Sequence, residues 1–500
     1  MLFFFWRWTD LPAFWRGKWR FIWLFVAGMM VFLLGWIWHA WFVRDEPGDL
    51  FLSAYDGEVL IDPIGKQMTG IWKWEGINRS DRLLNEVVFH VYPRQFQPDM
   101  PTRGRHWEPL LGEERLPGRY EIQRVVVNGR PVSYRQEGTL LYLDELNWRK
   151  KEKLQVVIHF LLRLPKNEGR LSYDQHAIWL GNWSPQLAVY ERGTWHAYPY
   201  YPIGDPFYSR VADYRLKVSL PQGYTLITTG HDLLQGTPYG EWVQYEVSAR
   251  RVRDFAMVVV DQQYAYLQEQ VGNVTVNTWF LTSDDVRAAT RLHQVAVQAL
   301  QFYQEKFGPY PYEEFDVVRT SGFFGGMEYP GLAFVRGKFF EHPEDRYGTV
   351  VVAHETAHQW WYAAVGSDQV GEAWLDESLS EFSTMWFLSD IEPEYGQLYI
   401  AGKERYVASP PGDLKEKSGP VRRPLWEFAD WETYDYDVYQ RGAMALWRVY
   451  QQLGADKMMR FLQEYYREYQ FREATGSDFQ RLMIRHFGRE RWEELAEQLQ

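Results

Sequence analysis

The sequence predicts a multidomain α+β chain: an N-terminal membrane-spanning helix, a β-sandwich-like domain, then a mostly helical domain. Three observations carry this. Five hundred residues exceed what one compact core organises. A run from Phe21 to Val43 contains no Asp, Glu, Lys or Arg. Beyond it, hydrophobic periodicity changes from strand-like to helical between about residues 265 and 280. The expected divisions are residues 1–20, 21–43, 45–270 and 271–500.

The first element is the span. Its twenty-three residues, at about 1.5 Å each, cover a hydrocarbon core of about 30 Å. No A-x-A-like cleavage site follows, since the exit reads Trp38-His39-Ala40-Trp41-Phe42. Eight of the 25 tryptophans precede residue 45, and most flank the apolar centre as an interfacial belt would. Arg7, Arg16, Lys18 and Arg20 outweigh Asp10 before the span, while Asp45, Glu46 and Asp49 follow it. The positive-inside rule then places residues 1–20 in the cytoplasm and everything after Arg44 outside. The expectation is a single-pass, signal-anchored protein of the cell membrane.

Residues 50–264 read as β. Val87 to Tyr92 ends at Pro93, which donates no ladder hydrogen bond. Val125-Val126-Val127 runs into Asn128-Gly129, a strong hairpin signal. Further strands are expected at 154–161, 214–220, 224–229, 242–247 and 255–260, spaced as in sandwiches. Helices follow. One is expected from an N-cap at Ser283 to Phe307, stopped by Gly308-Pro309. A second covers 347–364 and a third 373–389. Pro410-Pro411-Gly412, Gly419-Pro420 and Pro424 mark 408–424 as a long surface loop, and the chain is mostly helical again from Gly442.

Composition narrows the chemistry. A formal net charge of −12 disfavours a nucleic-acid partner. Zero cysteines exclude disulfides, thiolate nucleophiles and zinc fingers, so any metal is held by His, Asp or Glu. The second helix carries His354-Glu355-Thr356-Ala357-His358. Spacing i,i+4 puts both imidazoles on one helix face, within reach of one ion, with Glu355 beside them where it touches a metal-bound water. Glu377 lies 19 positions beyond His358 on the next helix, after a loop containing Gly366 and Gly371. Two His and one Glu leave a fourth tetrahedral position for water, the open arrangement of a catalytic zinc site. Cobalt or manganese would suit the same ligands. Glu381, one turn after Glu377, reads as a surface glutamate, with support of a ligand as the alternative. The other ten histidines read as structural or surface.

These residues and their neighbours resemble the aminopeptidase N family of zinc metallopeptidases, in the gluzincin clan. Four motifs carry the resemblance. They are His354 to His358; Trp374-Leu375-Asp376-Glu377-Ser378, similar to the family's W-L-N-E-G; Gly325-Gly326-Met327-Glu328-Tyr329, similar to G-A-M-E-N; and Tyr439-Gln440-Arg441-Gly442, similar to Y-x-K-G. The resemblance implies a thermolysin-like catalytic domain and one Zn(2+) per chain, held by His354, His358 and Glu377. It implies Glu355 as general base and Tyr439 as the donor that stabilises the oxyanion. Glu328 would bind the free α-amino group of a peptide, and the backbone at Gly325 and Gly326 would line the substrate. Asp376, Ser378 and Tyr329 depart from the family's Asn, Gly and Asn. About 60 residues follow Tyr439, so the expectation is a short form lacking the family's C-terminal helical domain, with a more open cleft.

The leading expectation is a zinc-dependent aminopeptidase acting on peptides with a free N-terminus. The alternatives are a zinc endopeptidase or broad oligopeptidase on the same site, and a catalytically silent peptide-binding ectodomain. Glu328 separates the first alternative, because an endopeptidase needs no amine anchor. Intact Glu355, Tyr439 and ligands argue against the second. The oligomeric state stays open.

Overall fold

The computed structural model describes residues 51–500 apart from 102–105 and 231–235. The span expected at 21–43 lies outside the described residues. Among the described ones, no helix is long and apolar enough to cross a membrane. Leu50–Gln500 form one compact unit.

Its first half is built on an eight-stranded sheet. The main strands are β1 (Phe51–Asp62), β2 (Gln67–Asn78), β3 (Arg119–Val127), β4 (Lys153–Arg163), β5 (Ala212–Pro221) and β6 (Trp242–Val252). Across the sheet they run β6-β5-β1-β2-β4-β3, with the short strands Thr237–Tyr239 and Arg130–Pro131 at the edges. Along β4, Leu154, Val156, Ile158, Phe160 and Leu162 are buried and their neighbours are not, the alternation of a one-faced sheet. That face packs on two four-stranded sheets, with Trp72 against Trp183 and Trp74 against Phe89, giving the sandwich-like arrangement expected. The Asn128-Gly129 turn is as read: φ is 46° and 78° at the two positions, which lets β3 fold back on Arg130–Pro131. The strand at Val87 is shorter than expected. It ends at His90, because Pro93 starts a tight helical turn at Tyr92–Phe96.

The expected changeover at 265–280 falls inside a five-stranded sheet of β7 (Tyr264–Val271), β8 (Val274–Leu281), β9 (Glu314–Thr320), β10 (Gly326–Tyr329) and β11 (Leu332–Arg336). Its order is β7-β8-β9-β11-β10, so β10 is an edge strand. α1 (Val286–Phe307) covers one face, packing Leu292, Ala296 and Leu300 with Val276, Phe315 and Val317. Its N-cap is Asp285, not Ser283. The Asp285 carboxylate accepts from Arg287 N, while Asp284 is engaged by Leu281 N and Arg319.

The other long helices among the described residues are α2 (Tyr347–Ala357), α3 (Trp374–Ile391), α4 (Pro393–Ala408), α5 (Ala443–Leu453), α6 (Ala455–Tyr469), α7 (Gly476–Phe487) and α8 (Arg489–Gln498). The single helix expected over 347–364 is broken. After α2 a wide turn covers Gln359–Ala364, with Trp361 and Tyr362 outside helical dihedrals. Arg253 causes the break to hold: its Nε donates to the Tyr362 carbonyl at 3.0 Å, a partner outside the helix. The segment 408–424 is not simply surface. It contains a helical turn at Leu414–Lys417 with Leu414 buried, and Arg423 is buried against Asp437 at 2.8 Å.

Candidate metal centre

α2 and α3 pack against each other and bring three donor atoms to one point. His358 Nε2 lies 2.9 Å from His354 Nε2, and Glu377 Oε2 lies 3.2 and 3.3 Å from those two nitrogens. Metal–ligand bonds of about 2.0–2.1 Å at tetrahedral angles would separate such atoms by about 3.3 Å, so the triangle has the size for zinc. Both outer nitrogens face carboxylates: His354 Nδ1 contacts Glu381 Oε2 at 3.1 Å, and His358 Nδ1 contacts Asp376 Oδ1 at 2.6 Å. A proton on each Nδ1 leaves both Nε2 lone pairs directed at each other and at Glu377. Only a cation makes that arrangement favourable. The residues present therefore fit zinc.

Glu381 corrects the surface reading. It is 4% exposed, accepts from Tyr399 at 2.7 Å and pairs with Lys403 at 2.9 Å. Burial pushes its carboxyl up, but Lys403 and His354 outweigh that and hold it down to about 2. Asp376, the departure from the family's Asn, keeps a charge-assisted contact with His358. Ser378, the departure from Gly, donates to the Val438 carbonyl at 2.7 Å and ties α3 to the segment beside Tyr439. A Cβ at Gly442 would sit 2.1 Å from Ser378 Oγ, so that position requires glycine for close approach.

Glu355 is buried, and its Oε2 has no hydrogen-bond partner. Burial pushes its carboxyl up to about 7 against the pull of His354 and His358. Facing it is β10. A Cβ on Gly326 would lie 2.3 Å from Glu355 Oε1, so the bare backbone of this edge strand borders the general-base candidate. Gly325 precedes the strand, and its carbonyl accepts from Arg336 N at 3.0 Å. Two residues on, Glu328 is 3% exposed on the same strand face as Gly326. Its carboxylate lies within 4.8 Å of donor atoms of Glu355 and His358. Burial and then Asp205 push its carboxyl well above the usual range. Tyr329 points to the other face, where its hydroxyl donates to Asn182 at 2.7 Å; it does not enter the Glu328 pocket.

Tyr439 lies in a π-helical segment, Asp435–Gly442, with its ring stacked on His354 at 5.6 Å. Burial and the Glu377 charge push its phenol well above 10, so the hydroxyl keeps its proton and remains a donor. The sequence reading missed four neighbours. Gln369 Nε2 bridges Glu328 Oε1 at 3.4 Å and Asp376 Oδ2 at 2.5 Å. Asp205, from the β-rich half, has a carboxylate oxygen within 4.8 Å of Glu328 and Glu377 and pairs with buried Arg170. The Tyr434 hydroxyl is buried without a partner, and the Glu377 and Asp205 charges act on it. Only Tyr434, five positions before Tyr439, had a sequence signal. Gly204-Asp205-Pro206 reads as an ordinary turn.

Residues 292–497 match the peptidase family M1 domain. The chain is similar to endoplasmic reticulum aminopeptidase 1 of Mus musculus, 26% identical over 216 residues, which cover 41% of this chain and 23% of the relative. Aminopeptidase N of Haemonchus contortus is 21% identical over 285 residues, 53% of this chain and 29% of that protein. The chain thus spans about a quarter of the length of the curated relatives it matches. Among solved structures, the M1 zinc metallopeptidase from Deinococcus radiodurans superimposes with a TM-score of 0.63 at 17% identity, covering 91% of this chain and 95% of that one. A mutant of it bound to a Tyr-Ser-Ala substrate gives 0.64 at 16%, covering 91% and 94%. This likeness shows the fold: a β-rich N-terminal part followed by a mostly helical one.

Proposed function

Taking as premise that the chain carries a peptidase family M1 domain at residues 292–497, we propose that it is a zinc-dependent aminopeptidase removing N-terminal residues from peptides. One observation carries the proposal. A buried carboxylate, Glu328, sits on an edge strand two residues from the glycine that borders Glu355. A peptide adding to that edge meets the amine anchor first and the base one residue later.

His354, His358 and Glu377 would hold zinc, which when bound supplies Lewis acidity toward the scissile carbonyl and acidifies water. The chain's own residues supply the rest. Glu328 accepts charge-assisted hydrogen bonds from the substrate ammonium and so limits the cut to the first peptide bond. Glu355 Oε2, otherwise unpartnered, takes the proton of the attacking water and returns it to the leaving amine. The Tyr439 hydroxyl donates to the oxygen on which charge develops. Asp376 and Glu381 orient the two imidazoles.

The uncharged run 21–43 and its basic flank support a single-pass anchor with the catalytic part outside the cytoplasmic membrane. The two largest apolar cores among the described residues, one drawn from residues 55–259 and the other almost wholly from 271–499, support division of the rest near residue 270, with a smaller cluster from Ala177 to Phe334 joining the two parts. Zinc removal tests the chemistry. Treatment of the purified full chain with a strong chelator is expected to abolish release of free N-terminal amino acid, and one equivalent of zinc to restore it. Release that persists in metal-free protein would overturn the proposal.

A further inference from the structure

We propose that Lys403 is a positioning residue that holds Tyr439 in register with the metal ligands. It lies on α4, 6% exposed, and no motif points to it. Its ammonium donates to Glu381 Oε1 at 2.9 Å and to Gln440 Oε1 at 2.7 Å, and sits 5.1 Å from the Tyr399 ring centroid. Each acceptor leads back to the site. Glu381 Oε2 contacts His354 Nδ1 at 3.1 Å. Gln440 directly follows Tyr439, and its Nε2 donates to both oxygens of Asp435 at 3.3 and 3.2 Å, which braces the π-helical segment along its length. The Tyr439 ring then returns to His354 at 5.6 Å. The circuit His354–Glu381–Lys403–Gln440–Tyr439 closes on itself through α2, α3, α4 and Asp435–Gly442.

The energetics favour orientation over stability as the role. A buried ion pair gains little over a well-packed apolar pair of the same volume, because both charges lose water. An ammonium shared between a carboxylate and an amide on different elements, however, fixes the distance between those elements. Here one element carries the support of a metal ligand and the other carries the oxyanion donor. Ser378 holds this segment at the Val438 carbonyl and Arg423 holds it at Asp437, while Lys403 holds it at Gln440, the residue next to Tyr439 on its other side.

The inference rests on the zinc aminopeptidase reading, and its test separates the two. Lys403→Met and Lys403→Arg are made in the full chain, each also combined with Tyr439→Phe. Zinc affinity is read by competition with a chelating dye, and kcat and KM with a peptide bearing a free N-terminus. Lys403→Met is expected to weaken zinc binding by about 10- to 100-fold and to lower kcat at saturating zinc by about tenfold, with KM changed by less than about threefold. In the Tyr439→Phe background the same change is expected to cost less than about twofold in kcat, and Lys403→Arg to recover most of the loss. Unchanged zinc affinity and kcat, or a full effect in the Tyr439→Phe background, would overturn the proposal. Should Lys403→Met fail to fold, Gln440→Leu cuts only the link from Lys403 to the segment of Tyr439; kcat is expected to fall with zinc affinity unchanged, and an unchanged kcat would overturn the proposal. A zinc-loaded wild type that hydrolyses nothing contradicts the aminopeptidase reading instead, and the zinc-affinity arm still decides the place of Lys403.

Discussion

Glu355 Oε2 is buried with no partner, a cost that the proposed role as base toward a water would explain. Glu355→Gln keeps the shape and removes the basicity. It is expected to retain zinc at wild-type stoichiometry while kcat falls by about 10²- to 10⁴-fold; a variant with near wild-type kcat would remove Glu355 from the chemistry. The pairing of His354 with His358 was legible because helix geometry turns i,i+4 spacing into a shared face, whereas Glu377, 19 positions beyond His358, needed the packing of the next helix. Glu381 carries an equivalent spacing from Glu377, yet the sequence does not show that α4 covers it, and so it was misread. Asp205 reaches the site only by tertiary folding. Away from the site, His90 is 1% exposed, and burial lowers its imidazole to about 4. Between pH 6.5 and 4 the unfolded chain therefore binds the proton that the folded one refuses, so stability is present above 6.5 and is lost as pH falls. Urea denaturation from pH 7 to pH 5 is expected to cost the wild type about 2 kcal/mol more than His90→Phe. Equal losses would show that His90 is not the titrating group.

At the scale of elements, periodicity located α1 and alternation located β4, since each buries one regular face, whereas α3 is buried on every side from Trp374 to Leu388. Periodicity failed where a distant side chain ends an element. Arg253 is the case: from the end of β6 it donates to the Tyr362 carbonyl and to Ser209 O and pairs with Glu473 at 2.6 Å, stopping the helix a few residues past His358. A Cβ at Gly366 would lie 2.0 Å from this guanidinium, so the approach is tight. Arg253→Met leaves Glu473 with Arg210 alone, at 3.5 Å, and frees the Tyr362 carbonyl. It is expected to cost about 1.5–3 kcal/mol in chemical denaturation, and a loss below about 1 kcal/mol would show that the break is held by packing alone. The edge position of β10 was likewise invisible, because Gly325-Gly326 signals backbone approach without naming the neighbour.

At the scale of the whole molecule, the sandwich-like half and the mostly helical half were both legible from texture, but their cooperation was not. Asp205 and Arg170 come from the first half and stand beside Glu328 and Glu377 from the second, so the pocket around Glu328 is closed by both. The pocket gathers more carboxylates than Arg170 balances, and under the proposed function a substrate ammonium would add positive charge beside Glu328. One comparison decides whether Glu328 binds that ammonium. The zinc-loaded full chain is given a peptide with a free N-terminus and its N-acetylated twin, alongside Glu328→Gln. Stepwise loss of N-terminal residues is expected from the free peptide, none from the acetylated one, and a raised KM for the free peptide in Glu328→Gln. Internal cleavage of both twins at similar rates, unaffected by Glu328→Gln, would contradict it and make the protein an endopeptidase.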